Sequence, residues 1–412
     1  METYRGDTLT SARRQERVGM MLTCLLGVFL FFLSFLMAYH LLHDLDGSDL
    51  QAHLDAAKKL TKVTAFTELL LGKERLWHLG VKILMWLKIS GVYSACLMTA
   101  AAIAAYYGIC CGVLKRTLAK LNQALIPVAS LTLCMVGPIF MPWYSERIYR
   151  GQDSPNVWHN PTQLMLRPFA LLTVLLTIRI YQRLRQGDWP RQAFESRWEA
   201  MIYTALITLT VWAKPSYFQA AVPALGILMI VDLIRSRGKS FLFSLKMAAA
   251  HIPGAVFTLM RFVDAFYTGE KGSGIEIAPF EVWAHNSNMI PVSILLLYAF
   301  PLFVLLVDWR NILPSVEGQL SLSILLTSGV MKALLAEIGK RRYHGNFGWA
   351  WGIAATIIWF FAFRRFLQLM TGDELPEKKY KAVAYVGWTL LALHLFSGIT
   401  YYCVMVTGNI EC

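Results

Sequence analysis

The chain has 412 residues, 56% of them hydrophobic and 16% charged, with a formal net charge of +13. Its mean hydropathy of +0.47 comes from apolar runs that repeat from end to end and approach the ~20 residues needed to cross a bilayer, which excludes a soluble globular protein. Nucleic acid is not the expected partner of the positive charge: most Lys and Arg fall in loops that a consistent topology makes cytoplasmic, and no separate basic soluble domain is present.

The first span covers roughly 18–40. Arg13, Arg14 and Arg17 precede it, so the segment reads as a signal anchor with the N-terminus inside, not as a cleaved signal peptide. The amphipathic stretch 41–88 is then external. Spans near 90–114 and 123–143 flank an inner loop carrying Lys115, Arg116 and Lys120, and the segment 144–165 is the next outer loop. A span near 166–182 leads to Arg183, Arg185, Arg191 and Arg197 inside. Residues 198–213 and 216–234 form a hairpin whose turn, Lys214-Pro215, faces out. Further spans fall near 241–262, 288–307, 318–337, 346–363 and 382–406, with outer loops at 263–287 and 338–345. The expectation is a single transmembrane domain, 1–412, all-α and polytopic, with about eleven transmembrane helices, the N-terminus cytoplasmic and the C-terminus outside. The seven cysteines show neither metal-ligand spacing nor a disulfide framework.

Chemistry-bearing residues gather in the outer segments. In the first, Ser48 is placed to cap a helix that begins with Asp49, and His53 lies one turn further along the same face. A carboxylate beside an imidazole suits general-base work on an alcohol; a solvated helix cap has the same composition. Asp44, Asp46 and Asp49 also offer oxygen ligands for a divalent cation, at a generic spacing. The stretch Val63–Lys88 reads as an interfacial helix along the outer leaflet. In the second outer loop, Trp158, His159 and Asn160 combine a stacking surface with hydrogen-bonding groups, as sugar recognition requires. Lys214 sits at outer membrane depth, where an ionisable residue marks a functional site or snorkels to headgroups.

The last outer loop, Lys340-Arg341-Arg342-Tyr343-His344-Gly345-Asn346-Phe347, carries positive charge where short loops normally avoid it. Arg341, Arg342 and His344 supply several donors for a phosphate group. Binding of anionic lipid headgroups is the competing explanation.

Together, Ser48-Asp49…His53, Pro155-Asn156-Val157-Trp158-His159-Asn160-Pro161, Lys214-Pro215-Ser216 and Arg342-Tyr343-His344-Gly345-Asn346-Phe347 resemble a bacterial integral-membrane glycosyltransferase of the GT-C type or a related surface-polysaccharide polymerase. That resemblance implies a GT-C-like fold in the bacterial cytoplasmic membrane, with catalysis on its outer side. It implies a polyprenyl-phosphate- or polyprenyl-diphosphate-linked sugar as donor, a glycan or lipid as acceptor, and polysaccharide-assembly proteins as partners. Asp49 would be the base, assisted by His53. Lys214, Arg341, Arg342 and His344 would hold the donor phosphate, and Trp158, His159 and Asn160 the sugar. A transporter or flippase of lipid-linked sugars and a membrane-bound O-acyltransferase are the alternatives.

Overall fold

The computed structural model describes residues 2–43, 48–141, 143–144, 152–187, 192–266, 274–372 and 374–407, with side chains from Arg14 onward. Within them the chain forms fifteen α-helices and one two-stranded sheet. The order is α1 (Glu2–His43), α2 (Asp49–Lys59), α3 (Lys62–Leu70), α4 (Leu76–Trp86), α5 (Gly91–Thr117), α6 (Ile126–Met135), α7 (Pro161–Gln186), α8 (Arg197–Ala213), α9 (Ser216–Arg235) and α10 (Phe241–Phe266). There follow β1 (Ile275–Ile277), α11 (Glu281–Asn286), α12 (Ile290–Ile312), α13 (Val316–Leu334), β2 (Leu335–Glu337), α14 (Gly348–Thr371) and α15 (Glu377–Thr407). A 3-10 helix, Gly339–His344, joins β2 to α14.

Eight helices among the described residues are long and apolar enough to cross a membrane, so the architecture is that of a multi-pass helical membrane protein. Large apolar side chains such as Met21, Leu25, Phe29 and Phe32 of α1 remain exposed, as expected where lipid and not water is the neighbour. The three expected spans not in that set are α6, α8 and α13. Helix α8 has 17 residues, and α13 carries Glu317, Gln319, Ser321, Ser323, Thr327 and Ser328 among its apolar residues. Helix α8 nonetheless runs antiparallel to α7 along its length. Near the start of α8, Glu199 pairs with Arg183 of α7 at 2.8 Å, while Lys214 just beyond its end reaches Asn160 at the head of α7.

Helix α6 departs most from the expected span at 123–143. It stops at Met135, Val136 N caps it on the Thr132 carbonyl at 2.9 Å, and residues 137–141 continue without helical hydrogen bonding. Pro138 lacks the N–H that a helix interior needs. Backbone groups left open inside an apolar bundle must find partners, and here α15 supplies them. His394 Nδ1 bonds the carbonyl of Gly137 at 2.7 Å, and Ser397 Oγ accepts from Phe140 N at 3.0 Å while donating to the Pro138 carbonyl at 2.5 Å. Asn156 donates its amide to the carbonyls of Leu133 and Val136. The crossing is tight enough to require glycine: a Cβ on Gly398 would lie 1.8 Å from the Met135 carbonyl oxygen.

The stretch Val63–Lys88 is also not one helix. Gly72, at φ +71°, takes the left-handed conformation that glycine adopts without steric cost, and the chain turns there between α3 and α4. Helices α2, α3 and α4 form a cap over one end of the bundle. Arg75 pairs with Glu68 at 2.6 Å, and Lys73 reaches Asp264 of α10 at 3.6 Å. The antiparallel pairing of β1 with β2, in register Ile275↔Glu337, ties the loop before α11 to the end of α13 at that same end.

Candidate functional site

Three sequence features bring the polar groups together. Ser48 caps α2, its hydroxyl accepting from Gln51 N at 3.2 Å, so Asp49 occupies the first turn, where a carboxylate is favoured by the helix dipole. Asn160 caps α7, accepting from Gln163 N at 3.0 Å, with Pro161 following, the arrangement favoured at a helix start. Pro215 disfavours helical backbone in the residue before it. Lys214 is accordingly extended, at φ −168° and ψ 125°, and leaves α8 sharply.

Asn160 links the other two. Its Oδ1 accepts from Thr162 Oγ1 at 2.8 Å and from Lys214 Nζ at 3.2 Å, besides capping α7. Its Nδ2 donates to Asp49 Oδ2 at 3.0 Å. Three donors on one side and a carboxylate on the other fix the orientation of the amide. Lys214 Nζ also donates to Thr162 Oγ1 at 3.2 Å and stands 3.9 Å from the centre of the Trp349 ring, a cation–π distance. The side chain of His159 completes the group: Nε2 lies 3.9 Å from Asp49 Oδ2 and Nδ1 is 3.3 Å from the Tyr401 hydroxyl.

Exposure divides these roles. The Asp49 side chain is 49% exposed and accessible to a substrate, whereas Lys214 is only 6% exposed. Burial lowers the pKa of Lys214 from its ordinary value, and the nearby carboxylates of Glu74 and Asp49 oppose that shift. The site thus pairs a reachable carboxylate with a buried ammonium through one amide. Deprotonation of a hydroxyl at Asp49 and stabilisation of developing negative charge near Lys214 are both chemically available to it.

His53 is placed differently from the sequence expectation. Its Nδ1 meets Nε2 of His78, in α4, at 3.0 Å, while the Asp49 carboxylate is bonded to Asn160. Burial, aided by the charge of Lys214, lowers the pKa of His53 to about 4; burial likewise pushes His78 well below the ordinary histidine value. Both rings are therefore neutral at neutral pH, and the pair fastens α2 to α4 beneath the site. Trp158 is also displaced from its expected role. It is 1% exposed, with its ring edge-on to Tyr402, so it is core and presents no open face for a sugar. Trp349 has the accessible chemistry instead. The sequence reading passed over it although it lies three residues after Asn346, at the membrane interface that Trp favours.

Arg342 is not a free cation. Two of its nitrogens bond both carboxylate oxygens of Glu281 at 2.7 Å, and a third contacts Glu276. Glu281, held also by the Tyr343 hydroxyl at 2.9 Å, has its pKa lowered to about 2, chiefly by the Arg342 hydrogen bonds. The β1–β2 pairing accounts for this: it brings Glu276 of β1, and with it Glu281 at the start of α11, beside the basic loop, a long-range contact that spacing does not reveal. Arg341 is 55% exposed and 3.6 Å from Glu337, and His344 is exposed. The basic loop and Lys214 therefore flank the start of α14 as two separate groups. Asp44 and Asp46, along with Glu146, Arg147 and Arg150 of the second loop, lie outside the described residues, so only Asp49 of the cation-binding trio is placed.

A direct charge pair, mostly shielded from solvent, stands near the site. Lys332 of α13 contacts Asp153 and lies 4.4 Å from the Trp283 ring centre. Burial raises the pKa of Asp153, and Lys332 opposes the shift. No protein-family model matches the chain, and no curated protein matches it in sequence.

Proposed function

We propose that this protein is a membrane glycosyltransferase or polymerase that takes a sugar from a polyprenyl-phosphate- or polyprenyl-diphosphate-linked donor and transfers it to a glycan or lipid acceptor. The reading rests on one observation: the Asp49–Asn160–Lys214 arrangement, with Trp349 against the ammonium. In the reaction, Asp49 takes the proton of the acceptor hydroxyl as its oxygen bonds to the anomeric carbon. The bond from that carbon to the lipid-phosphate oxygen breaks, and its electron pair leaves with the phosphate. Lys214 stabilises that charge from a site of low dielectric, where such a contact acts most strongly. Asn160 and His159 orient the carboxylate. Arg341, at the rim, adds to the attraction for an anionic headgroup. The site end faces away from the cytoplasm, the orientation consistent with the positive-inside rule for eleven spans with the N-terminus in and the C-terminus out.

Transport of lipid-linked sugars is the second reading, and the mostly shielded pair of Lys332 in α13 with Asp153 favours it, because ionisable residues within transmembrane segments mark ion or proton pathways. One experiment separates the two. Purified protein in vesicles is given labelled polyprenyl-phosphate and polyprenyl-diphosphate sugars, and sugar transfer and lipid crossing are both followed. Transfer that vanishes in Asp49→Asn at equal protein level supports the transferase. Crossing of the intact lipid-linked sugar without transfer establishes transport instead.

A further inference from the structure

A groove of about 540 Å³ lies on the cap, with α2 as one wall and α3 with Arg75 as the other, within the roughly 300–1,000 Å³ of ligand sites. Ala52, Asp55, Ala56 and Lys59 form the α2 wall. Asp49, Ala52 and Ala56 are spaced i, i+3 and i+7 and so share one face of that helix, which makes the proposed base the next residue along the wall. Asp49 and Ala52 are both exposed, so the wall stays open up to the base. Opposite them, Thr64 and Glu68 stand one turn apart on α3. Val63, Phe66 and Leu70 occupy another face of α3 and are exposed, as in a helix lying against lipid. Helix α3 thus stands between the polar groove and the bilayer.

The lining selects a class of ligand. Asp55 and Glu68 balance Lys59 and Arg75, so the groove has no net charge to favour an anionic or a cationic polymer. Glu68 and Arg75 are engaged with each other at 2.6 Å, and Asp55 accepts from Lys58 and Gln51. Groups held in this way offer no bare charge, but their remaining lone pairs and N–H groups still suit hydroxyls. Leu60, 4% exposed, is the one large apolar residue of the lining, which leaves no seat for an acyl tail or for the apolar anchors of a peptide. From Ala52 to Lys59 the wall extends about 10 Å at 1.5 Å per residue, longer than a single sugar ring.

We infer that this groove holds the acceptor as an uncharged glycan chain, lying along α2 with its reacting hydroxyl at Asp49. The inference rests on the transferase reading and narrows it, since the acceptor is then a glycan and not a lipid. Its test needs no transfer. Full-length protein in nanodiscs, without donor, is passed over immobilised neutral mono-, di- and oligosaccharides of hexose and N-acetylhexosamine. Retention is expected to rise from mono- to disaccharides. It should be lost in Ala52→Trp, whose ring fills the groove from an exposed position, and fall several-fold in Lys59→Ala, a change at the surface. No retention of any saccharide by the wild type, or equal retention by the wild type and both variants, would overturn the groove assignment. The vesicle assay judges the transferase separately. Transfer to a lipid acceptor without saccharide retention keeps the transferase and removes the glycan groove, whereas retention that depends on Ala52 without any transfer keeps the groove and removes the transferase.

Discussion

Two cations flank the start of α14, and they are held in opposite ways. Lys214 is buried, yet its hydrogen-bond acceptors are a neutral amide and a neutral hydroxyl, with an aromatic face alongside. Arg342 is more exposed, yet two carboxylates engage it directly. Exposure alone would make Arg342 the better phosphate ligand. Local compensation reverses that order, because an anion approaching Arg342 must displace or repel Glu276 and Glu281. A phosphate approaching Lys214 meets a charge neutralised only at longer range by Asp49 and Glu74.

Substitutions can break this comparison. The deepest loss is expected from Asp49→Asn, which keeps the shape of the side chain but removes the base. Sugar transfer measured at saturating donor should fall by about 10²–10⁴, the usual share of general acid–base catalysis. Lys214→Met should follow, with a loss of roughly 10²–10³ in turnover, typical of one electrostatic contact to a developing anion. Lys214→Arg keeps the charge but not the compact ammonium and should not restore full turnover. Arg342→Ala should leave turnover within a small factor of wild type in the same assay, while loosening the loop between β2 and α14, seen as faster proteolysis there. An Arg342→Ala loss as deep as that of Lys214→Met would reverse the ranking of the two cations.

The smallest effect concerns pH and the His53–His78 pair. His53 has a pKa near 4 in the folded protein against an ordinary 6.5, so the unfolded chain binds its proton first as pH falls. Stability is therefore lost on going down from about pH 6.5 to pH 4, and the slope flattens below that. Unfolding midpoints of the detergent-purified protein across this window should show the decline. The slope should be shallower in His53→Gln, with His78 carrying what remains. An unchanged slope would mean that His53 is not buried as described.

Local signals were legible in the sequence, and long-range pairings were not. Ser48 as a helix cap and Lys214-Pro215 as a turn follow from residue type and neighbours, and the structure has both. The gathering of Asp49, His159, Asn160 and Lys214 at one end follows from helices that alternate direction. By contrast, His53 shares a helix face with Asp49, but helical spacing says nothing about α4, which delivers His78. Trp158 looked like a stacking platform because tryptophan suits both an interface and a core, and only packing against Tyr402 decides between them. Arg342 seemed unopposed because Glu276 and Glu281 lie more than sixty positions away along the chain. The broken helix after Met135 had a visible cue in Gly137-Pro138, which the apolar character of its surroundings outweighed.

That broken helix also imposes an order on events during synthesis. The segment 136–141 emerges early, but His394, which holds the Gly137 carbonyl, lies 257 residues further along the chain. Ser397 arrives later still, and Gly398 is the residue that lets α15 approach closely enough. Until then, several main-chain groups of the segment have no permanent partner and must be sheltered by water, by a chaperone or by the insertion machinery. Helix α15 is in this sense a latch: the bundle around 136–141 closes only once α15 has docked.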